Sequence, residues 1–265
     1  MSMCRLGDAR RSRRAPVRRG GAALALALSL VAAPGAVMAQ ACPALPPREP
    51  MPREARPERL EEPYWRARSA VLSRVAAGDL SRASLVFLGD SITENWDRRD
   101  WEANYGRYGA LNLGVSGDFV QGLLWRLTAG GQWPETLRPR LAVLLIGTNN
   151  ATFNAPPENT ALGIAEVLRE IRRRSPETPV LLLGILPRGA DANDPARRLN
   201  ARVNGLIARC ADEQSVFYLD AGPALVDGQG RLSQAIAPDG LHLSPEGYAR
   251  LSAAIEPSLR AILGP

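Results

Sequence analysis

A serine hydroxyl, an imidazole and a carboxylate in this chain combine into one kind of chemistry. The 265 residues contain one histidine, His242, so any reaction that needs an imidazole has one candidate. Asp239 stands three residues earlier, in a turn eased by Gly240, and that spacing lets a carboxylate fold back onto the second ring nitrogen. Ser91 follows an apolar run in "FLGDSITENW". Serine attacks an ester only when a base stands within hydrogen-bond reach and a third group orients that base. Each residue also has a plainer role, since a serine after a strand often caps a helix and a histidine beside a helix start is often structural. Taken together in the order Ser, Asp, His, they point to acyl transfer.

Acyl transfer also needs donors for the developing oxyanion. Ser91 offers its own N–H where strand gives way to helix, Gly114 offers an N–H with no side chain in the way, and Asn149 offers an amide. Ser116 in "GVSG" is a rival nucleophile, but Asp118 stands where the hydrolase elbow G-x-S-x-G requires its last glycine, which favours Ser91. Asp118 reads as a cap for the helix that begins nearby. A histidine base must be neutral to act, so activity is expected to rise through the ordinary imidazole range near pH ~6.5 and level off on the alkaline side.

Short apolar runs at 84–89, 109–114, 141–147, 179–187 and 215–220 read as five strands, three of them continuously hydrophobic, as in strands covered on both faces. Helical patterns at 117–129, 157–174, 195–212 and 244–263 lie between and after them, with Ser244 as N-cap and Pro245 in the first position of the last. Strict alternation predicts an α/β fold with a parallel sheet. Ligands in such sheets sit beyond the carboxyl ends of the strands, where Ser91, Gly114 and Asn149 all fall.

The formal charge of +6 excludes less than it suggests. Seven of the 33 basic residues and one of the 27 acidic ones lie in 1–39, leaving 26 of each, so no basic patch argues for a nucleic-acid partner. Residues 1–39 read as a signal peptide. Arginines precede an apolar run over 22–33, too short for a membrane span of ~20 residues, and "AVMAQA" offers cleavage after Ala39. The route, general secretory or twin-arginine, is left open by "SRRAPVR", but the destination is periplasmic or extracellular. The segment 40–63 is rich in proline and charge and reads as an extended arm, followed by a catalytic domain over 64–265. Cys210 lies on the helical stripe Leu199, Val203, Leu206, Cys210, which favours a small buried hydrophobe over a bridge to Cys42, although export permits that bridge.

"GDSIT", the glycine of "NLGVSGD", "GTNN" and "DGLH", in that order, resemble the four blocks of the SGNH (GDSL-type) hydrolases. Ser91, Gly114, Asn149 and His242 fall on the residues that name the family, with Asp239 as its acid. The stretches "NLGVSGDFVQGLLWRL", "GILPRG" and "DGLHLSPEGY" are most similar to the platelet-activating-factor acetylhydrolase branch and to similar bacterial esterases. The resemblance implies a flavodoxin-like three-layer α/β/α sandwich, no metal and no other cofactor, and a ping-pong acyl-enzyme mechanism. It also implies Ile92, Thr148 and Leu241 as walls of a small acyl pocket.

The expected function is that of an exported serine esterase acting on short-chain, acetyl esters, with a small acyl ester as its partner and no membrane span in the mature chain. Alternatives are a carbohydrate O-acetyl esterase or acyltransferase, a lysophospholipase or lipase-like hydrolase, and a non-catalytic binding module. The last predicts decay at Ser91, Asn149, Asp239 or His242, and all four are intact. Trp96, Trp101, Trp125 and Trp133 flank the motifs and read chiefly as packing, with stacking on sugar rings as the second role. The oligomeric state is left unassigned.

Overall fold

The computed structural model describes residues 42–264. The signal-peptide reading of 1–39 lies outside the described residues, as do the first two residues of the arm.

Five strands form one parallel sheet in the order β2-β1-β3-β4-β5: β1 Leu85–Gly89, β2 Leu111–Gly114, β3 Leu141–Leu145, β4 Val180–Leu183 and β5 Val216–Leu219. Each lies within the run that predicts it. The register pairs Gly89 of β1 with Gly114 of β2 on one side and with Leu145 of β3 on the other, so the turns after these three strands emerge side by side. The chain reverses its direction of travel across the sheet between β1 and β3, the place where an open α/β sheet leaves a crevice.

Among the described residues eight α-helices accompany the sheet: α1 Pro63–Ala76, α2 Ser91–Glu94, α3 Arg98–Tyr105, α4 Val120–Leu127, α5 Thr148–Thr152, α6 Pro157–Arg174, α7 Pro195–Ile207 and α8 Pro245–Leu263. Alternate strand residues serve two cores. Val86, Leu88, Ala142, Leu144 and Leu182 pack with α1, α4, α6 and α7. Leu85, Phe87, Val143, Leu181 and Leu183 pack with α3 and α8. The result is the three-layer sandwich. Ser244 caps α8 by accepting the Gly247 N–H at 3.1 Å, with Pro245 in the first turn, as the sequence predicts.

Four features differ from the sequence reading. The charge-rich stretch before β1 contains α1, whose buried Trp65, Ser69, Leu72 and Ala76 recur at helical spacing but are hidden among arginines. "RRDWEANY" forms α3, capped where Asp97 accepts the Asp100 N–H at 2.9 Å. The arm is extended but not loose: Ala55 and Leu60 are buried, and Glu58 donates its N–H to the Gln121 carbonyl at 3.0 Å. Finally, Cys210 is not a free thiol. It is disulfide-bonded to Cys42, which is itself fully buried in the first core. The arm reaches the end of α7 because its proline-rich backbone is anchored at intervals along the way.

Trp96 and Trp133 are buried, and Trp96 and Trp101 belong to an aromatic cluster with Phe87 and Tyr105. The tryptophans therefore pack. No helix among the described residues is long and apolar enough to cross a membrane.

Candidate active site

The turn after β1 answers whether Ser91 is a cap. Asp90 is the N-cap of α2, its carboxylate accepting the Ile92 N–H at 3.0 Å. That leaves Ser91 as the first residue of the helix, with its hydroxyl and its N–H both uncommitted to the capping. Ser91 Oγ lies 2.9 Å from His242 Nε2. On the far side of the ring, His242 Nδ1 lies 2.6 Å from Asp239 Oδ2. The Asp239 Oδ1 oxygen accepts the backbone N–H groups of Leu241 (2.9 Å) and His242 (2.7 Å), so the turn and the ring are held by the same carboxylate. Burial works to raise the Asp239 carboxyl, but the His242 ring and these N–H donors outweigh it and hold the group at about 2. It is an anion at any pH where a neutral imidazole can act.

The row is anchored at both ends. Tyr248 of α8 donates its hydroxyl to the Ile92 carbonyl at 2.8 Å, tying the helix behind His242 to the helix that carries Ser91. Ser91 is buried while the His242 and Asp239 side chains are 41% and 56% exposed, so a reactant approaches from an open edge. Ser116, the rival nucleophile, has no imidazole. Its N–H donates to Glu94 Oε2 at 2.6 Å, which holds the loop after β2 against α2.

The oxyanion donors need one correction. The Gly114 N–H is directed at Asn112 Oδ1, 2.9 Å away, and so is not available. Gly114 has a packing role, because a Cβ there would come within 2.2 Å of the Glu94 nitrogen. The N–H that makes no hydrogen bond among the described residues is that of Gly117, three residues on, which has φ +74° and open space around its Cα. Asn149 Nδ2 donates to the Asp118 carbonyl at 2.8 Å, which brings its amide against the Gly117–Asp118 loop and leaves its second N–H over. The signal for Gly117 was in the sequence, a second glycine in "GVSGD", but choosing between two glycines requires knowing which N–H the strand has used.

Asp118 is not a helix cap. It is fully buried and paired with Arg126 at 2.8 Å, and it accepts the Trp65 indole N–H at 2.8 Å. Arg126 in turn donates to the carbonyls of Leu113 (2.8 Å) and Gly89 (3.2 Å), bracing the ends of β2 and β1 beneath the site. Asp90 is buried and forms no ion pair among the described residues, and burial, opposed chiefly by the Ile92 hydrogen bond, pushes its carboxyl up to about 7.

Of the three expected pocket residues, Ile92 and Thr148 are buried and Leu241 is half-buried against the second core. Thr148 Oγ1 takes hydrogen bonds from Arg188 Nη1 (3.3 Å) and Asn200 Nδ2 (3.4 Å). Arg188, which the sequence reading did not single out, also reaches Thr152 Oγ1 at 2.7 Å and thereby braces the first turn of α5 beside Asn149.

Residues 87–250 match the model of the GDSL-like lipase/acylhydrolase family. The chain is 36% identical over 181 residues to the platelet-activating factor acetylhydrolase IB subunit alpha1 of Bos taurus, covering 68% of this chain and 76% of that one. Among solved structures it is similar to a GDSL-like lipase from Bacteroides thetaiotaomicron, at 21% identity and a TM-score of 0.57 over 74% of this chain and 97% of that one. It is also similar to an acetylxylan esterase from Geobacillus stearothermophilus, at 20% identity and a TM-score of 0.53 over 69% and 96%. The two structures share the fold.

Proposed function

The chain belongs to the GDSL-like lipase/acylhydrolase family and is an ester hydrolase, and from that premise we propose an exported serine esterase that hydrolyses short-chain, acetyl esters through Ser91, His242 and Asp239. The observation that carries the reading is the unbroken row from Ser91 Oγ through the one histidine of the chain to Asp239, with contacts of 2.9 and 2.6 Å. His242 Nε2 takes the hydroxyl proton as Ser91 Oγ attacks the ester carbonyl. The charge on the carbonyl oxygen is met by the N–H groups of Ser91 and Gly117 and by the Asn149 amide. Collapse breaks the ester C–O bond, His242 returns its proton to the leaving alcohol, and the acyl group stays on Ser91. Water, deprotonated by the same ring, then releases the acid and restores the hydroxyl.

Two supports favour a short acyl group. Ile92, Thr148 and Leu241 stand next in the chain to Ser91, Asn149 and His242, and two similar proteins bear acetyl in their names, an acetylhydrolase and an acetylxylan esterase. Export is supported by the Cys42–Cys210 disulfide, a bond that persists in oxidising compartments. The acetylxylan esterase also keeps a carbohydrate O-acetyl group in view as the substrate.

The test is hydrolysis of p-nitrophenyl esters from acetyl to decanoyl, with Ser91→Ala as the blank. The expected result is a rate that falls steeply beyond acetyl or butyryl and drops by about 10³-fold or more in the variant. A rate that grows with chain length would replace the short-acyl reading with a lipase-like one. Equal rates in Ser91→Ala would remove Ser91 as nucleophile.

A further inference from the structure

A second recess lies at the same carboxyl edge of the sheet, displaced from Ser91 past β3 to the ends of β4 and β5. A cavity of about 350 Å³ opens there between α7 and the turns that follow the two strands, a size in the range of small-molecule sites. Helix α7 presents Arg197, Asn200, Ala201 and Asn204 to it, a single stripe spaced three, four and seven residues from the first, while Val203 and Ile207 go to the core.

Asn204 shows what a polar side chain does in that stripe when its role is structural. Its Oδ1 accepts the Ile185 N–H at 2.8 Å and its Nδ2 donates to the Ile185 carbonyl at 2.9 Å. Asn200, one turn earlier and 1% exposed, is left half-used: Nδ2 reaches Thr148 Oγ1, but Oδ1 has no partner among the described residues. Arg197 Nη1 is likewise buried without a partner, and Arg197 enters no ion pair among the described residues. A buried acceptor and a buried cationic donor left unmet, on two residues that line one cavity, are rare, because each forfeits its solvation and gains nothing.

Asp220 supplies a third polar group. One of its oxygens accepts the Gly222 N–H at 3.0 Å, and the other makes no hydrogen bond among the described residues. Asp227, also on the rim, is engaged by Arg231 at 2.8 Å. Arg197 and Asp220 therefore cancel, and the recess favours neither a net anion nor a net cation. A hydroxyl is donor and acceptor at once, so vicinal hydroxyls match the guanidinium, the amide oxygen and the carboxylate together. Pro187, Pro223 and Val226 offer apolar surface to the C–H face of a ring.

We propose that this cavity is a binding site for a neutral polyhydroxyl molecule of the size of a single sugar ring, separate from the row that carries the ester chemistry. Its wall is shared with that row at one point, since Asn200 meets Thr148, the residue before Asn149.

The test is calorimetric titration and saturation-transfer NMR with D-glucose and myo-inositol as probes, and sodium acetate and glycine as the charged counterparts. The expected result is saturable millimolar binding of a polyol, retained in Ser91→Ala and weakened at least roughly tenfold in Arg197→Met and in Asn200→Leu, with acetate and glycine unbound. Thermal melts identify which variants are folded, and either folded variant suffices. No saturable binding of either polyol, binding that survives the substitutions, or a preference for acetate or glycine would overturn the proposal. Loss of binding in Ser91→Ala would also overturn it, by assigning the polyol to the catalytic row.

Discussion

At the scale of single residues, the chemistry depends on which polar atoms are already spent. Ser91 is free because Asp90 does the capping, and Gly114 is not free because Asn112 has taken its N–H. Asn149 keeps one amide N–H after serving the Asp118 carbonyl. Asn149→Ala is therefore expected to lower kcat about 10²–10³-fold with little change in KM, measured on p-nitrophenyl acetate. Asp90 gives a stability signature instead. Its carboxyl is held up to about 7 in the fold, whereas an unfolded aspartate titrates near ~3.9. Between those values the unfolded state has released a proton that the folded state still holds, so this group's contribution falls as pH rises and is fully lost above about 7. The slope is at most about 1.4 kcal/mol per pH unit. Asp90→Asn keeps a capping oxygen and removes the ionisation. Its melting temperature is expected to match that of the parent near pH 4, to exceed it increasingly up to about pH 7 and to hold a constant lead above that; a difference that does not vary with pH would contradict the burial argument. The Ser–His–Asp row was legible from residue type and order, since one histidine leaves one choice. The donor glycine was not, since that depends on a hydrogen bond between residues two apart in a strand end.

At the scale of elements, the turns after β1, β2 and β3 form one surface because the strands pair in register at Gly89, Gly114 and Leu145. Arg126, rising from α4, secures that surface by binding Asp118 and the carbonyls of Leu113 and Gly89. Arg126→Met leaves Asp118 as a buried, unpaired carboxylate and is expected to cost about 3–5 kcal/mol in chemical denaturation. The double variant Arg126→Met/Asp118→Asn should recover part of that loss, as no isolated charge then remains; no recovery would mean that the carbonyl contacts carry the stability. Strands were legible as continuous apolar runs, and α6 and α8 from their periodicity and their prolines. Helix α1 was not, because four buried positions among arginines, serines and exposed apolar residues give a weak contrast between its faces. Asp118 and Arg126, eight apart, match no local pairing rule, so a buried ion pair between them leaves no mark in the sequence.

At the scale of the whole molecule, the Cys42–Cys210 bridge closes a loop with a sequence separation of 168 and fastens the arm to the far end of α7. Cys42→Ser is expected to lower stability by about 2–5 kcal/mol in denaturant titrations, with kcat on p-nitrophenyl acetate unchanged because the bridge lies in the core behind α7 rather than at the carboxyl edge. The same loss under reductant in the parent, and none in the variant, would assign it to the bond. Residue types and their periodicity alone were enough for the alternation of strand and helix, for the parallel sheet, and for naming Ser91, His242 and Asp239 as the candidate row, because hydrophobic period and residue chemistry are local properties. Folding was needed to show that the arm is bound, that the cysteines pair, that Gly117 rather than Gly114 keeps its N–H, and that Arg197 and Asn200 line a cavity with polar atoms unmet. Each of these turns on which groups meet across long stretches of chain or on which hydrogen bonds are already made, and packing alone fixes both.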